Sequence, residues 1–176
     1  MSPQQERAEY DKHENSVEDP AYRRFLSRLA TPLLERLPAG ASGLDFGCGS
    51  GPALAAMLTE AGMNVKLYDP AYFPDPTPLQ QTYHFICATE VVEHLHQPAQ
   101  VLARLWSMLE RCGTLGVMTK LVKDVSAFAS WHYKNDPTHV CFFSRETWAW
   151  WALENSAELE FLGTDVILLR RVSSPA

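Results

Sequence analysis

A glycine-rich loop between an apolar strand and an apolar helix is the feature that most restricts the fold of this chain. The strand is predicted over 43–46, the loop reads GCGSG over 47–51, and a helix follows from Pro52 to Ala61. Glycines let the backbone of such a loop pass close to a ligand. A strand–loop–helix turn is also where an open α/β sheet binds its ligand. The loop therefore predicts an α/β fold with a ligand site at this turn.

Strand and helix patterns alternate along the rest of the chain and predict one domain over 1–176. A chain of 176 residues supports one well-buried core better than two. We expect a polar N-terminal arm or lid over 1–20, leading helices over 21–40 and the core over 41–176. Further strands are predicted at 65–68, 85–88, 114–118, 158–162 and 166–170, and helices at 98–109 and 144–155. The sheet should be mostly parallel, with the last two strands as an antiparallel hairpin at its edge.

Charge and composition restrict the partners of the protein. The chain carries 21 acidic and 15 basic residues, a formal charge of -6, and only two adjacent basic pairs, at 23–24 and 170–171. Binding to long nucleic acid is therefore disfavoured, and a small-molecule substrate is favoured. No apolar run reaches the roughly 18–20 residues of a membrane span. The polar N-terminus and four cysteines without a CxxC pair predict a cytoplasmic protein with reduced thiols. The oligomeric state is left open.

Two acidic residues flank the glycine loop. Asp45 lies at the end of the strand before it, and Asp69 ends the next strand, 20 residues past Gly49. That spacing suits a carboxylate that accepts hydrogen bonds from ribose hydroxyls. A dinucleotide fingerprint would need a third glycine at position 52, where the chain has Pro52, so a nicotinamide-dependent oxidoreductase is disfavoured. Asp45 suits a cationic ligand group better than a pyrophosphate.

The run DFGCGSG over 45–51 resembles the first motif of class I S-adenosylmethionine-dependent methyltransferases. FICATEVVEHL over 85–95 resembles their segment after the fourth strand, of the form E-V-x-E-H-L, and the resemblance covers roughly 41–171. It implies a Rossmann-like methyltransferase sheet and S-adenosylmethionine as cofactor. The glycines would lie under the cofactor, with Asp45 facing its ammonium group and Asp69 its ribose. The implied cofactor-binding residues are Asp45, Gly47, Cys48, Gly49, Asp69, Pro70, Ala88, Thr89 and Glu90.

The segment after Asp69 departs from the family pattern. Only 71–82 separate the second strand from the next, where the family usually has a helix and a whole strand. We therefore expect the third strand and its helix to be missing or vestigial. The adenine ring would then rest on Tyr72, Phe73 or nearby loop atoms.

A cluster of acidic and histidine residues follows the strand at 85–88. Glu90, Glu93 and His94 have the spacing that places side chains on one face of a helix. Together with His139, they resemble the metal site of methyltransferases that modify the 2′-hydroxyl at small-RNA 3′ ends. That resemblance implies a divalent metal ion on Glu90, Glu93, His94 and His139. The same pattern is widespread in the family in proteins without a metal, so both readings are kept.

The aromatic stretch WHYKNDPTH over 131–139 is the second candidate for substrate chemistry. His139, His132 or His94 could act as a catalytic general base, because imidazole titrates near neutral pH. The alternative is a loop whose aromatic rings pack on the core. Tyr10 and His13 of the polar arm could close over the cofactor, although a solvated surface role is favoured for His13.

The predicted function is S-adenosylmethionine-dependent methyl transfer to a small-molecule nucleophile, with a hydroxyl preferred over an amine. Two alternatives are kept. One is a sensor or partner subunit that binds the cofactor without catalysis, and the other is metal-assisted 2′-O-methylation of an RNA 3′ end. The acidic charge of the chain counts against the RNA substrate.

Overall fold

Six strands form one sheet in a computed structural model of the chain, which describes residues 3–12 and 16–172. The strands are β1 (Ser42–Phe46), β2 (Asn64–Tyr68), β3 (Tyr83–Thr89), β4 (Leu109–Met118), β5 (Ala157–Leu162) and β6 (Val166–Arg171). Their order in the sheet is β2-β1-β3-β4-β6-β5. The first four strands are parallel, while β6 pairs antiparallel with β4 and with β5. The predicted mostly parallel sheet with an antiparallel edge hairpin is confirmed.

Helices cover both faces of the sheet. The α-helices are α1 (Pro3–Tyr10), α2 (Pro20–Leu34), α3 (Ala53–Glu60), α4 (Pro98–Ser107), α5 (Val125–Ala129) and α6 (Arg145–Glu154). Asp19 caps α2 by accepting a hydrogen bond from the Ala21 backbone, and Ser144 caps α6 in a capping box with Thr147. None of the helices within the described ranges is long and apolar enough to cross a bilayer.

The alternation of side chains along β3 explains why apolar clusters lie on both faces of the sheet. Phe85 and Cys87 face one apolar cluster, whereas Ile86 and Ala88 face the other, because successive side chains of a strand point to opposite faces. The first cluster includes the buried leucines of α2 and α3, and the second includes the buried leucines and tryptophans of α4 and α6. This arrangement leaves the carboxyl ends of the parallel strands as the open edge where a ligand can enter.

The link between β2 and β3 is short, as the sequence predicts. Asp69 and Phe73 form an isolated antiparallel bridge through two backbone hydrogen bonds of 2.9 and 3.1 Å. A single 3-10 turn at Thr77–Gln80 then leads into β3. No strand or α-helix lies between Asp69 and Tyr83, all of which are described, so β2 is an edge strand of this sheet. The third strand and helix of the family pattern are absent here.

Gly43 in β1 provides a test of how tightly the sheet packs. A Cβ atom at this position would lie 2.0 Å from Cζ of Phe85, whose side chain is fully buried. Gly43→Ala should therefore lower the free energy of unfolding by about 1–3 kcal/mol, since overpacking forces a buried ring to move. The measurement is urea unfolding followed by circular dichroism.

Gly163→Asn is the control for this substitution. A Cβ atom at Gly163 would have no other atom within 4 Å. The φ of Gly163 is 64°, and asparagine tolerates this left-handed region. It should change the free energy of unfolding much less. Equal stability of Gly43→Ala and the wild type would contradict the packing described for β1.

Candidate active site

A cavity of about 1320 Å³ opens along the carboxyl ends of β1, β2 and β3. The chain leaves β1 and β3 in opposite directions at this edge, which is the switch point where open α/β sheets bind ligands. Eight of the nine predicted cofactor-binding residues line the cavity: Asp45, Gly47, Cys48, Gly49, Asp69, Pro70, Thr89 and Glu90. The ninth, Ala88, is fully buried within β3 and does not line it.

Asp69 holds the glycine loop in place. Its Oδ2 accepts a hydrogen bond of 3.0 Å from the Gly49 backbone, and its Oδ1 accepts bonds of 2.8 and 3.1 Å from the backbones of Ala71 and Tyr72. Gly47 needs a glycine because its φ is 71° and a Cβ would lie 2.5 Å from Val91. The carboxylate therefore joins the loop after β1 to the end of β2.

Asp45 is a buried carboxyl group with an oxygen left open. The residue is 2% exposed, and its Oδ1 has no hydrogen-bond partner. Burial, with a smaller contribution from the charge of Asp69, raises the pKa of Asp45 to about 7. A cationic ligand group beside Oδ1 would favour the ionised form and satisfy the open oxygen.

The segment from Glu90 to His94 is not an α-helix, although its spacing would place Glu90, Glu93 and His94 on one face of one. Strand β3 ends at Thr89, Glu90 has a φ of 51°, and only Val92–His94 form a single 3-10 turn. The Glu90 backbone still donates a 2.7 Å hydrogen bond to Met118 at the end of β4, so the chain bends sharply here. The carboxyl groups of Glu90 and Glu93 are therefore not neighbours on one helical face. They are linked through the side chain of a third residue.

That third residue is Tyr133, whose hydroxyl lies between the two carboxyl groups. It donates to Oε1 of Glu93 and lies 3.2 Å from Oε2 of Glu90. Glu93 is completely buried, and burial together with the charge of Glu93 raises the pKa of Glu90. Oε2 of Glu93 and Oε1 of Glu90 have no partner. The site thus contains two more carboxyl oxygens that a ligand could satisfy.

His94 and His139 lie against each other, with ring centroids 4.7 Å apart. Nδ1 of His94 is 3.1 Å from the Thr138 carbonyl, and Nδ1 of His139 is 2.7 Å from the Tyr133 carbonyl. Because a carbonyl only accepts hydrogen bonds, both Nδ1 atoms are assigned the proton, so the lone pair of a neutral ring is on Nε2. Nε2 of His139 lies 3.9 Å from Oδ2 of Asp136. Burial lowers the pKa of His94, which favours the neutral ring at pH 7.

Three of the four predicted metal ligands come together. Glu93, His94 and His139 each offer one ligand atom, and these atoms lie within 4.8 Å of one another. Glu90 is not part of this group, because the bend after β3 turns it toward Tyr133. His132 is exposed, lines the cavity and is not part of this three-residue group.

Several residues that line the cavity were assigned no role in the predictions from the sequence. Tyr22 and Phe25 of α2 line the wall near the glycine loop, and Tyr133 stands at the acidic pair. The aromatic stretch over 131–139 points to the region of Tyr133, but the sequence drew attention only to its histidines. Tyr10 of the arm does reach the cavity, as predicted, while His13 lies outside the described residues. Tyr72 lines the cavity, and Phe73 does not.

The sheet order and the glycine loop at its switch point define a Rossmann-like fold of the methyltransferase type. The chain belongs to the methyltransferase domain family, whose profile matches residues 17–160. It is thus an S-adenosylmethionine-dependent methyltransferase of class I, as the sequence motifs predict. No curated protein matches the chain in sequence.

Solved structures support the fold. Magnesium protoporphyrin IX methyltransferase of Synechocystis, solved with bound S-adenosylhomocysteine, is 13% identical with a TM-score of 0.63, covering 97% of this chain and 95% of its own. An S-adenosylmethionine-dependent methyltransferase of Thermotoga maritima is 14% identical with a TM-score of 0.56, covering 86% and 91%. A chain from the Haloferax volcanii complex of a methyltransferase with its activator is 11% identical with a TM-score of 0.63, covering 97% and 99%.

The buried carboxyl group of Asp45 predicts an unusual pH dependence of stability. Its folded pKa of about 7 lies above the ordinary value of 3.8 for an aspartate, so the free energy of unfolding should fall as pH rises from about 4 to 7. Asp45→Asn should remove much of this fall and stabilise the ligand-free protein at pH 8 by up to about 4 kcal/mol. Urea unfolding at pH 4.5 and pH 8 measures both effects.

Asp75→Asn is the control for the pH experiment. Hydrogen bonds from Thr77 lower the pKa of this exposed carboxyl group, so its contribution to stability has the opposite sign. Its removal should slightly destabilise the protein at pH 8. The assignment for Asp45 is wrong if Asp45→Asn and the wild type have the same pH dependence.

Proposed function

We propose that this methyltransferase acts on a small-molecule nucleophile and that a hydroxyl group is its acceptor. The observation that carries the proposal is the division of one cavity into two ends. The glycine loop, Asp45 and Asp69 lie at one end, and the paired imidazoles of His94 and His139, whose Nδ1 atoms face backbone carbonyls, lie at the other. A neutral imidazole can take the proton that a hydroxyl loses when it is methylated.

The first end suits the cofactor. Asp45 would bind the ammonium group, Asp69 the ribose hydroxyls, and the backbone of Gly47 and Gly49 would lie beneath. Thr89, at the end of β3, would line the methionine side. When bound, S-adenosylmethionine supplies an electrophilic methyl group on a sulfonium. The protein contributes position and a cavity that excludes water.

The second end suits the acceptor. His139 is the preferred general base because its side chain is only 7% exposed and its Nδ1 is held by a backbone carbonyl. His94 is the second candidate, since its lowered pKa keeps it neutral. His132 is exposed and would contact an acceptor but not the reacting hydroxyl. Within this proposal, the alternative methyl acceptor is an amine.

Calorimetry with S-adenosylmethionine tests the cofactor end. The wild type should bind S-adenosylmethionine and not NADH. Asp69→Asn should raise the Kd more than about tenfold, because a hydrogen bond to a charged group is worth about 1.5–3 kcal/mol. Asp75→Asn, on the neighbouring exposed loop, should leave the Kd unchanged. Thermal unfolding of Asp69→Asn separates lost affinity from lost folding, and tight binding of NADH alone would overturn the proposal.

A divalent metal at the acceptor end is the second candidate, and Glu93, His94 and His139 favour it. Both imidazoles are held at Nδ1 by backbone carbonyls, which is how ligating histidines are usually oriented. Oε2 of Glu93 is buried without a partner. The donor set of one carboxylate and two imidazoles fits a borderline divalent ion. Such an ion would lower the pKa of an acceptor hydroxyl.

Titration with Mn²⁺, followed by electron paramagnetic resonance, tests the metal candidate. The wild type should bind one ion, and His94→Ala should bind it much more weakly. His96→Ala is a matched control, because His96 is exposed and lies outside the three-residue group. Equal Mn²⁺ binding by the wild type and His94→Ala would contradict the metal site and leave a histidine general base as the mechanism.

A further inference from the structure

We infer that Tyr10 is a specificity-determining residue, whose ring forms the outer wall of the acceptor end and restricts that end to small acceptors. The inference rests on the proposed function, because it concerns the molecule that receives the methyl group. It concerns a residue of α1, which lies in the predicted arm, outside the sheet that carries the rest of the site.

The position of Tyr10 is the first step. Its ring meets the ring of His94 edge-on, with centroids 5.3 Å apart and an interplanar angle of 87°. His94 in turn packs on His139, so the three rings form a continuous row that ends in Tyr10. Because Tyr10 and His94 both line the cavity, an acceptor that approaches the His94 ring also meets the Tyr10 ring.

The arm is attached to both walls of the cavity, which fixes this position. On the side of the segment after β3, Glu6 lies 3.2 Å from Nε2 of His96. On the side of the segment after β2, the Tyr72 hydroxyl donates a 2.6 Å hydrogen bond to Asp11, directly after Tyr10. The guanidinium of Arg7 lies over the Tyr72 ring at 5.1 Å. Helix α1 thus spans the cavity, and Tyr10 lies between its two attachments.

Chemical modification of histidine tests the wall without a known substrate. With S-adenosylhomocysteine bound, diethylpyrocarbonate should modify His94 and His139 slowly in the wild type and severalfold faster in Tyr10→Ala. Tyr10→Phe keeps the ring and should match the wild type. Exposed His132 provides the reference rate within each sample, and mass spectrometry of peptides gives all three rates. Lys12→Ala, which breaks only an ion pair inside the arm, is the matched control.

Methyl transfer to phenols of increasing size tests the specificity itself. S-adenosylhomocysteine release is measured with phenol and 2-naphthol. Tyr10→Ala should raise the rate with 2-naphthol relative to phenol. Where no phenol is methylated, the histidine modification rates decide the question.

The outcomes separate the inference from the proposed function. Failure of the wild type to bind S-adenosylhomocysteine would overturn the proposed function. Normal binding together with equal His94 modification in the wild type and Tyr10→Ala would overturn only the role of Tyr10. Faster modification of His132 as well would show a general loosening of the fold, and would also count against a specific wall.

Discussion

The carboxylate of Asp69 is the interaction on which the site depends. One oxygen holds Gly49 of the glycine loop, and the other holds the turn at Ala71 and Tyr72. Two segments that are distant in sequence, the loop after β1 and the turn after β2, are therefore fixed by one side chain. A buried carboxylate with three backbone donors is well solvated by the protein, so it needs no ligand to remain in place.

The other buried carboxyl groups of the site are not satisfied in this way. Asp45, Glu90 and Glu93 each keep one oxygen without a partner, and burial raises the pKa of the first two. Desolvated acidic groups reduce the stability of the ligand-free protein when they ionise. A cationic ligand that binds them restores the lost interactions, so ligand binding and folding stability are coupled. The unsatisfied carboxyl groups lower the stability of the ligand-free protein at the place where we expect positive charge to bind. Such a loss of stability is typical of a functional site.

Much of the fold could be predicted because it depends on local patterns. The glycine loop, the acid at the end of β2 and the short link to β3 are each visible in a few consecutive residues. The turn after β3 was not predictable, since the positive φ of Glu90 follows from the pairing of β3 with β4 and not from the local sequence. Glu90, Glu93 and His94 have the sequence spacing of one helical face, but the segment that contains them does not form an α-helix. Tyr133 was missed for a similar reason, because its partners lie 40 and 43 residues away.

The short link between β2 and β3 also explains why the arm contributes to the site. In this sheet β2 is an edge strand, so no further strand and helix support the wall of the cavity beside it. The wall there consists of Tyr72, which is held by backbone contacts to Asp69 and by its hydroxyl to Asp11 of the arm. The guanidinium of Arg7 lies over one face of the same ring. The N-terminal helix therefore closes a side of the cavity that the trimmed sheet leaves open, and in doing so it places Tyr10 against His94. The arm therefore contacts two separate parts of the cavity lining, Tyr72 through Asp11 and His94 through Tyr10.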